Sequence, residues 1–141
     1  MHGGVLGGLF ADTAVANGVI HANVIEWNPF DPSSPPLGHL FAFSADTLAE
    51  EWHFETPGSP NLSGVAVANG VVYFQSVFDG NLYALDATTG AQLLALPVGP
   101  STSGPAVSNG RVYMGTGDAI LRPGLGVPPA LPGGIIAIGL R

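Results

Sequence analysis

The chain contains no cysteine and no lysine. Without cysteine there is no disulfide, no thiolate metal ligand and no cysteine nucleophile, and the compartment stays open, because such a chain fits oxidising and reducing surroundings alike. Without lysine, all the positive charge rests on Arg111, Arg122 and Arg141, set against ten acidic residues for a formal net charge of −7. Phosphate backbones and anionic lipid surfaces are held by clustered basic residues. Nucleic acid is therefore not an expected partner, and an anionic membrane surface is disfavoured. Long apolar runs are missing too: none reaches the roughly 18 residues of a membrane helix, so no membrane span is expected. The opening MHGGVLGGLF lacks the basic segment of a signal peptide.

What the chain does have is 46% hydrophobic residues in 141, with 21 glycines and 13 prolines. That is enough apolar material for the core of one domain, punctuated too often for long helices. Three copies of one unit then emerge. Val15-Ala16-Asn17-Gly18-Val19-Ile20-His21 matches Val67-Ala68-Asn69-Gly70-Val71-Val72-Tyr73 and Val107-Ser108-Asn109-Gly110-Arg111-Val112-Tyr113. Asn-Gly between two apolar runs predicts a β-hairpin, since a type I′ turn needs positive φ at both central residues.

A third strand recurs at Gly38–Phe43, Gly80–Leu85 and Gly133–Ile138, and a fourth at Ala49–Phe54 and Ala91–Leu96, with no fourth strand before Arg141 in the last copy. Pro-rich insertions separate the second and third strands of copies one and three. A four-stranded unit of about 40 to 45 residues is the blade of a β-propeller. The expected fold is all-β, a partial propeller of about three four-stranded antiparallel blades (9–57, 58–99 and 100–141), the last incomplete. Because propellers close with about 4 to 8 blades, the expected partner is the remainder of a longer propeller, or another chain that completes the ring.

The stretch Ala84-Leu85-Asp86-Ala87-Thr88-Thr89-Gly90-Ala91-Gln92-Leu93-Leu94 resembles the docking motif of the pyrroloquinoline-quinone-type, quinoprotein-like propeller repeat, Ala-x-Asp-x-x-x-Gly-x-x-x-Trp, with Leu94 in place of the tryptophan. Copy one is complementary, keeping Trp52 but carrying Ser44 and Leu48 where the motif has Asp and Gly. The resemblance implies secretion or the periplasm. It is shared by quinone-dependent alcohol dehydrogenases, by the propeller lipoprotein of the outer-membrane assembly machinery and by many secreted proteins, so it does not fix an activity. The dehydrogenases add a vicinal cysteine disulfide, a calcium held by Glu, Asn and Asp, and a catalytic Asp. This chain has no cysteine, and no calcium-ligand set matches residue by residue.

Single residues read accordingly. Asp86 and Thr89 precede Gly90 at a strand end, where Asp bonds backbone amides in an Asx-turn; a general base there would need a partner that the repeat does not supply. His2, His21, His39 and His53 fit no zinc spacing, so no metal site is expected. Gly115-Thr116-Gly117 before Asp118 lacks the lysine and helix of a phosphate loop. Glu50, Glu51 and Glu55 near Trp52 read as a solvated strand face, and Trp27, Phe30, Phe74 and Phe78 as residues in or near the second-to-third-strand connections that pack between blades. The first expectation is thus a non-catalytic scaffold or protein- or ligand-binding module that needs no cofactor and shows no activity alone. The alternative is the C-terminal part of a quinone-dependent alcohol dehydrogenase, with pyrroloquinoline quinone and calcium as cofactors.

Overall fold

The structure, a computed structural model, describes residues 8–28, 30–117 and 133–139. Eleven strands and no helix occur among them. Sheet 1 holds β1 (Ala14–Ala16), β2 (Val19–Glu26), β3 (Leu37–Ser44) and β4 (Glu50–Pro57); sheet 2 holds β5 (Ala66–Ala68), β6 (Val71–Gln75), β7 (Asn81–Asp86) and β8 (Gln92–Pro97). Sheet 3 holds β9 (Ala106–Ser108), β10 (Arg111–Thr116) and β11 (Gly134–Gly139). Every pairing is antiparallel between strands consecutive in sequence.

The Asn-Gly pairs set the register of each sheet. Asn17, Asn69 and Asn109 have φ of 52°, 52° and 50°, and the glycines after them 77°, 75° and 70°. These are the positive angles a two-residue hairpin demands, and the flanking residues pair directly as Ala16↔Val19, Ala68↔Val71 and Ser108↔Arg111. The short first strands gather, β5 lying beside both β1 and β9. Where the chain enters β5 and β9, a methyl added at Gly104 would come within 3.1 Å of the Gly64 Cα. Backbone packs directly on backbone there, which needs a residue without a side chain.

The period of two in a strand divides the core. Val72, Phe74, Tyr83 and Leu85 join Leu40 in the seam with sheet 1, while Tyr73, Leu82 and Ala84 join Val98, Val112 and Met114 in the seam with sheet 3. Sheet 2 is buried on both faces, which is why β6 is almost wholly apolar. Phe74 is one of its strand residues, fully buried and stacked on Tyr83 at 5.2 Å, so its place is inside the blade and not in the connection after it. Each such side chain contributes about 1.5 to 3 kcal/mol on burial. Three sheets around gathered first strands form the arc of a β-propeller, fewer than the about 4 blades of the smallest closed ring.

Candidate functional site: the seam between the first two sheets

The turn after β7 is built around one carboxylate. Asp86 Oδ1 accepts hydrogen bonds from the backbone N–H of Thr88 (2.9 Å) and Thr89 (2.8 Å) and from the Thr89 hydroxyl (3.0 Å). The bonds from Thr89, then that from the Thr88 amide, hold the carboxyl below the ordinary aspartate value. The loop closes through Gly90 N–H to Asp86 O and Asp86 N–H to Ala91 O, each 2.9 Å. Sheet 1 repeats the closure through Leu48 N–H to Ser44 O and Ser44 N–H to Ala49 O, but Ser44 Oγ accepts only the Thr47 amide, at 3.3 Å. The shorter serine reaches one donor where the aspartate reaches three.

Trp52 of sheet 1 lies against this turn of sheet 2. Its indole N–H donates to Ala87 O at 3.2 Å, and a methyl placed on Gly90 would stand 2.7 Å from Cε3 of the ring. Gly90 is thus required twice, for its φ of 71° and for the tryptophan above it. The ring also meets His21, centroids 5.5 Å apart. Leu94 holds the same register position in sheet 2, opposite Ala84 as Trp52 is opposite Ala42, and a bulge follows both pairs. Leu94 is nevertheless 38% exposed and absent from the apolar cluster between sheets 2 and 3. The residues that would form the facing turn of sheet 3, from Leu140 on, lie outside the described residues.

Two buried amides tie neighbouring sheets at the other end of the seams. Asn23 and Gln75 occupy equivalent places on β2 and β6; Asn23 Nδ2 donates to Ser63 O at 2.8 Å, and Gln75 Nε2 donates to Gly99 O. Serines stitch the incoming loops to the second strands: Ser63 Oγ accepts from Gln75 N–H at 2.8 Å and Ser103 Oγ from Gly115 N–H at 2.9 Å. Gly115 is therefore part of a laced strand, not of an anion cradle. Sequence reasoning passed over these residues. Their only signal was the recurrence of a serine before the first strand of copies two and three.

The opposite face of sheet 1 carries a chain of ionisable groups. Cross-strand pairing sets His39 beside Glu55 and His53 beside Phe41. His39 Nε2 lies 3.7 Å from Glu26 Oε2 and its Nδ1 3.8 Å from Glu55 Oε1; His53 meets Glu50 at 2.8 Å and Glu55 at 3.8 Å. His39 is 4% exposed, and burial lowers its pKa from 6.5 against the opposing pull of Glu55 and Glu26. Of the glutamates near Trp52, Glu50 and Glu55 are thus partners of these histidines as well as part of a solvated face. No group of three or more His, Asp or Glu among the described residues is arranged to hold a metal ion. Of the aromatic residues noted in the connections, Trp27 and Phe78 meet edge to face at 5.4 Å and Phe30 is 83% exposed. Asp118, His2 and the whole of the second Pro-rich insertion, Leu121 to Pro132, lie outside the described residues.

No protein-family model and no curated protein sequence matches the chain. Solved structures do. A quinohemoprotein alcohol dehydrogenase from Pseudomonas putida HK5 aligns over 79% of this chain and 17% of its own at 25% identity and a TM-score of 0.60. A europium-containing methanol dehydrogenase aligns over 79% and 22% at 19% identity and a TM-score of 0.57. BamB from Moraxella catarrhalis aligns over 77% and 45% at 17% identity and a TM-score of 0.50. The chain spans about a fifth of each dehydrogenase and less than half of BamB.

Proposed function

We propose that this chain, whose fold is that of a quinoprotein-like β-propeller, serves as a structural arc of a larger propeller, scaffolding or recognising partners rather than catalysing a reaction. The observation that carries this reading is the make-up of the gathered first strands, Ala-Val-Ala, Ala-Val-Ala and Ala-Val-Ser. These strands bring no titratable side chain to the middle of the arc, and Asp86, the carboxylate of the docking motif, is committed to its own turn. Further blades, in a longer chain or a second one, complete the ring. A periplasmic or extracellular setting accompanies the reading, supported by the family resemblance; no helix among the described residues is long and apolar enough to cross a membrane.

The similarity to the two dehydrogenases favours a second reading, in which these blades form part of a quinone-dependent enzyme. The described residues do not fit a quinone with its calcium: no group of three or more His, Asp or Glu among them could hold the ion, and the chain has no cysteine pair. A cofactor site would therefore have to be supplied by other parts of the polypeptide. Calorimetric titration of the 141-residue chain with pyrroloquinoline quinone and calcium, beside a dye-linked alcohol oxidation assay, separates the readings. The scaffold reading expects no binding heat and no dye reduction. Saturable binding or turnover would overturn it.

A further inference from the structure

The three Asn-Gly turns are chemically alike but not equally held. Each presents its asparagine and glycine to solvent, and a methyl added at Gly18, Gly70 or Gly110 would meet nothing within 4 Å among the described residues. None of the three asparagine side chains makes a hydrogen bond there. An asparagine followed by glycine carries latent chemistry, because glycine has no β-carbon to hinder attack of its nitrogen on the neighbouring side-chain amide. The paired hairpin restrains that attack. In a type I′ turn the glycine nitrogen points away from the asparagine amide carbon, and the φ values near 50° at Asn17, Asn69 and Asn109 are those of the closed turn. Reaction therefore proceeds from the fraction of molecules in which the hairpin has opened.

The repeat supplies an internal comparison of how easily each hairpin opens. All three residues of β5 are half-buried, and β5 lies between β1 and β9. In β1 one residue of the three is exposed, and the chain before it is tied back by reciprocal bonds between Gly8 and Ile25. In β9 the two outer residues are both exposed. The residue after the turn repeats the order: Val19 and Val71 are half-buried, Arg111 is exposed. The first two turns are also braced from the outer loop of their own sheet, by Ala45 N–H to Gly18 O at 2.7 Å and Ala87 N–H to Gly70 O at 2.8 Å. The corresponding residue of the third copy, Leu140, lies outside the described residues.

We propose that Asn109 is a site of non-enzymatic deamidation, the first of the three hairpin asparagines to react in the folded chain. The Gly110 nitrogen attacks Asn109 Cγ, and the side-chain nitrogen leaves as ammonia, taking up the Gly110 amide proton. Water then opens the resulting succinimide at one of its two carbonyls, giving aspartate or isoaspartate. Isoaspartate routes the main chain through the side-chain carbon, and a loop built for two residues cannot take the extra atom and keep Ser108 opposite Arg111. Deamidation thus adds a negative charge to an already acidic chain and loosens β9, the strand that sets sheet 3 beside β5. This inference stands apart from the scaffold reading, and either can fail alone.

The test is peptide mapping by mass spectrometry of the folded 141-residue chain during incubation in mildly alkaline buffer, with isoaspartate read by enzymatic methyl transfer. Asn109 should convert about fivefold or more faster than Asn69, a factor that about 1 kcal/mol of easier opening supplies, with Asn17 between them and isoaspartate in the Asn109 peptide. In concentrated urea, where no hairpin protects, the three rates should converge. Equal conversion of the three in the folded chain, Asn17 or Asn69 reacting first, or a lead of Asn109 undiminished in urea would overturn the proposal.

Discussion

Gly90 and Leu48 occupy the same left-handed position of equivalent turns, with φ of 71° and 58°, and Trp52 packs over Gly90, whereas Leu48 is 69% exposed. Gly90→Ala should therefore destabilise by about 2 to 5 kcal/mol, combining about 1 to 2 for the left-handed backbone with about 1 to 3 for the methyl driven into the ring. Leu48→Gly meets only the first effect and should stabilise by about 1 kcal/mol. Urea unfolding of both variants checks the pair; equal and opposite effects at the two sites would contradict the role given to Trp52. Titration adds a second prediction. Burial depresses the pKa of His21 and His39 below 6.5, so the unfolded chain binds protons more readily than the folded one. Stability is then full above the unfolded value and falls as the pH drops below about 6.5, and melting scans between pH 7.5 and pH 5.5, about one unit either side of it, should show it. Asp86, depressed in the opposite sense for stability, contributes above its unfolded value of 3.8 and ceases to contribute as the pH falls through its folded value. Asp86→Ala should lower the melting temperature near pH 7 and lose that effect in acid. Asp86 was legible as a turn residue because its donors, Thr88 and Thr89, are adjacent in sequence; the burial of His21 was not, because the ring it packs against, Trp52, is distant in sequence.

At the scale of strands and turns, the hairpins are local and the seams are not. Asn-Gly sets a two-residue loop from sequence alone, and all three appear in the expected register. The seam contact of Trp52 with Ala87 spans 35 positions, and nothing in either segment by itself pairs them. The repeat suggested a docking tryptophan, but what lies beneath it depends on how consecutive sheets stack. The same holds for Leu94: sequence places it where a tryptophan docks, yet the structure leaves it partly exposed, because a docking residue is buried only by the turn of the next sheet. Trp52→Ala should cost about 3 kcal/mol, at the lower end for truncating a large aromatic residue because the ring is only partly buried. Leu94→Trp should change stability by less than about 0.5 kcal/mol. Chemical denaturation of the two variants side by side measures the difference between a made and an unmade contact.

Across the whole molecule, the two faces of sheet 3 differ. Val112 and Met114 are buried toward sheet 2, while Ile135 on the other face is 83% exposed. Outside β11 no further strand pairs among the described residues, and an apolar face with an open edge favours association. The isolated chain should therefore sediment with a concentration-dependent mass that Ile135→Lys lowers; a monomer at all concentrations would contradict this. Composition and repeat conveyed the all-β arc, since both are properties of the chain itself. They could not convey what completes the arc, which is a property of whatever packs against its ends. The arrangement of the blades turns on the first seam, and its most direct test is the nuclear Overhauser effect between the Trp52 indole ring and the Gly90 α-protons in the 141-residue chain. A strong cross-peak, with the Gly90 protons shifted upfield by the ring, is the predicted result. A folded chain without that cross-peak would contradict the docking of sheet 1 on the Asp86 turn, and with it the propeller seam on which the functional reading stands.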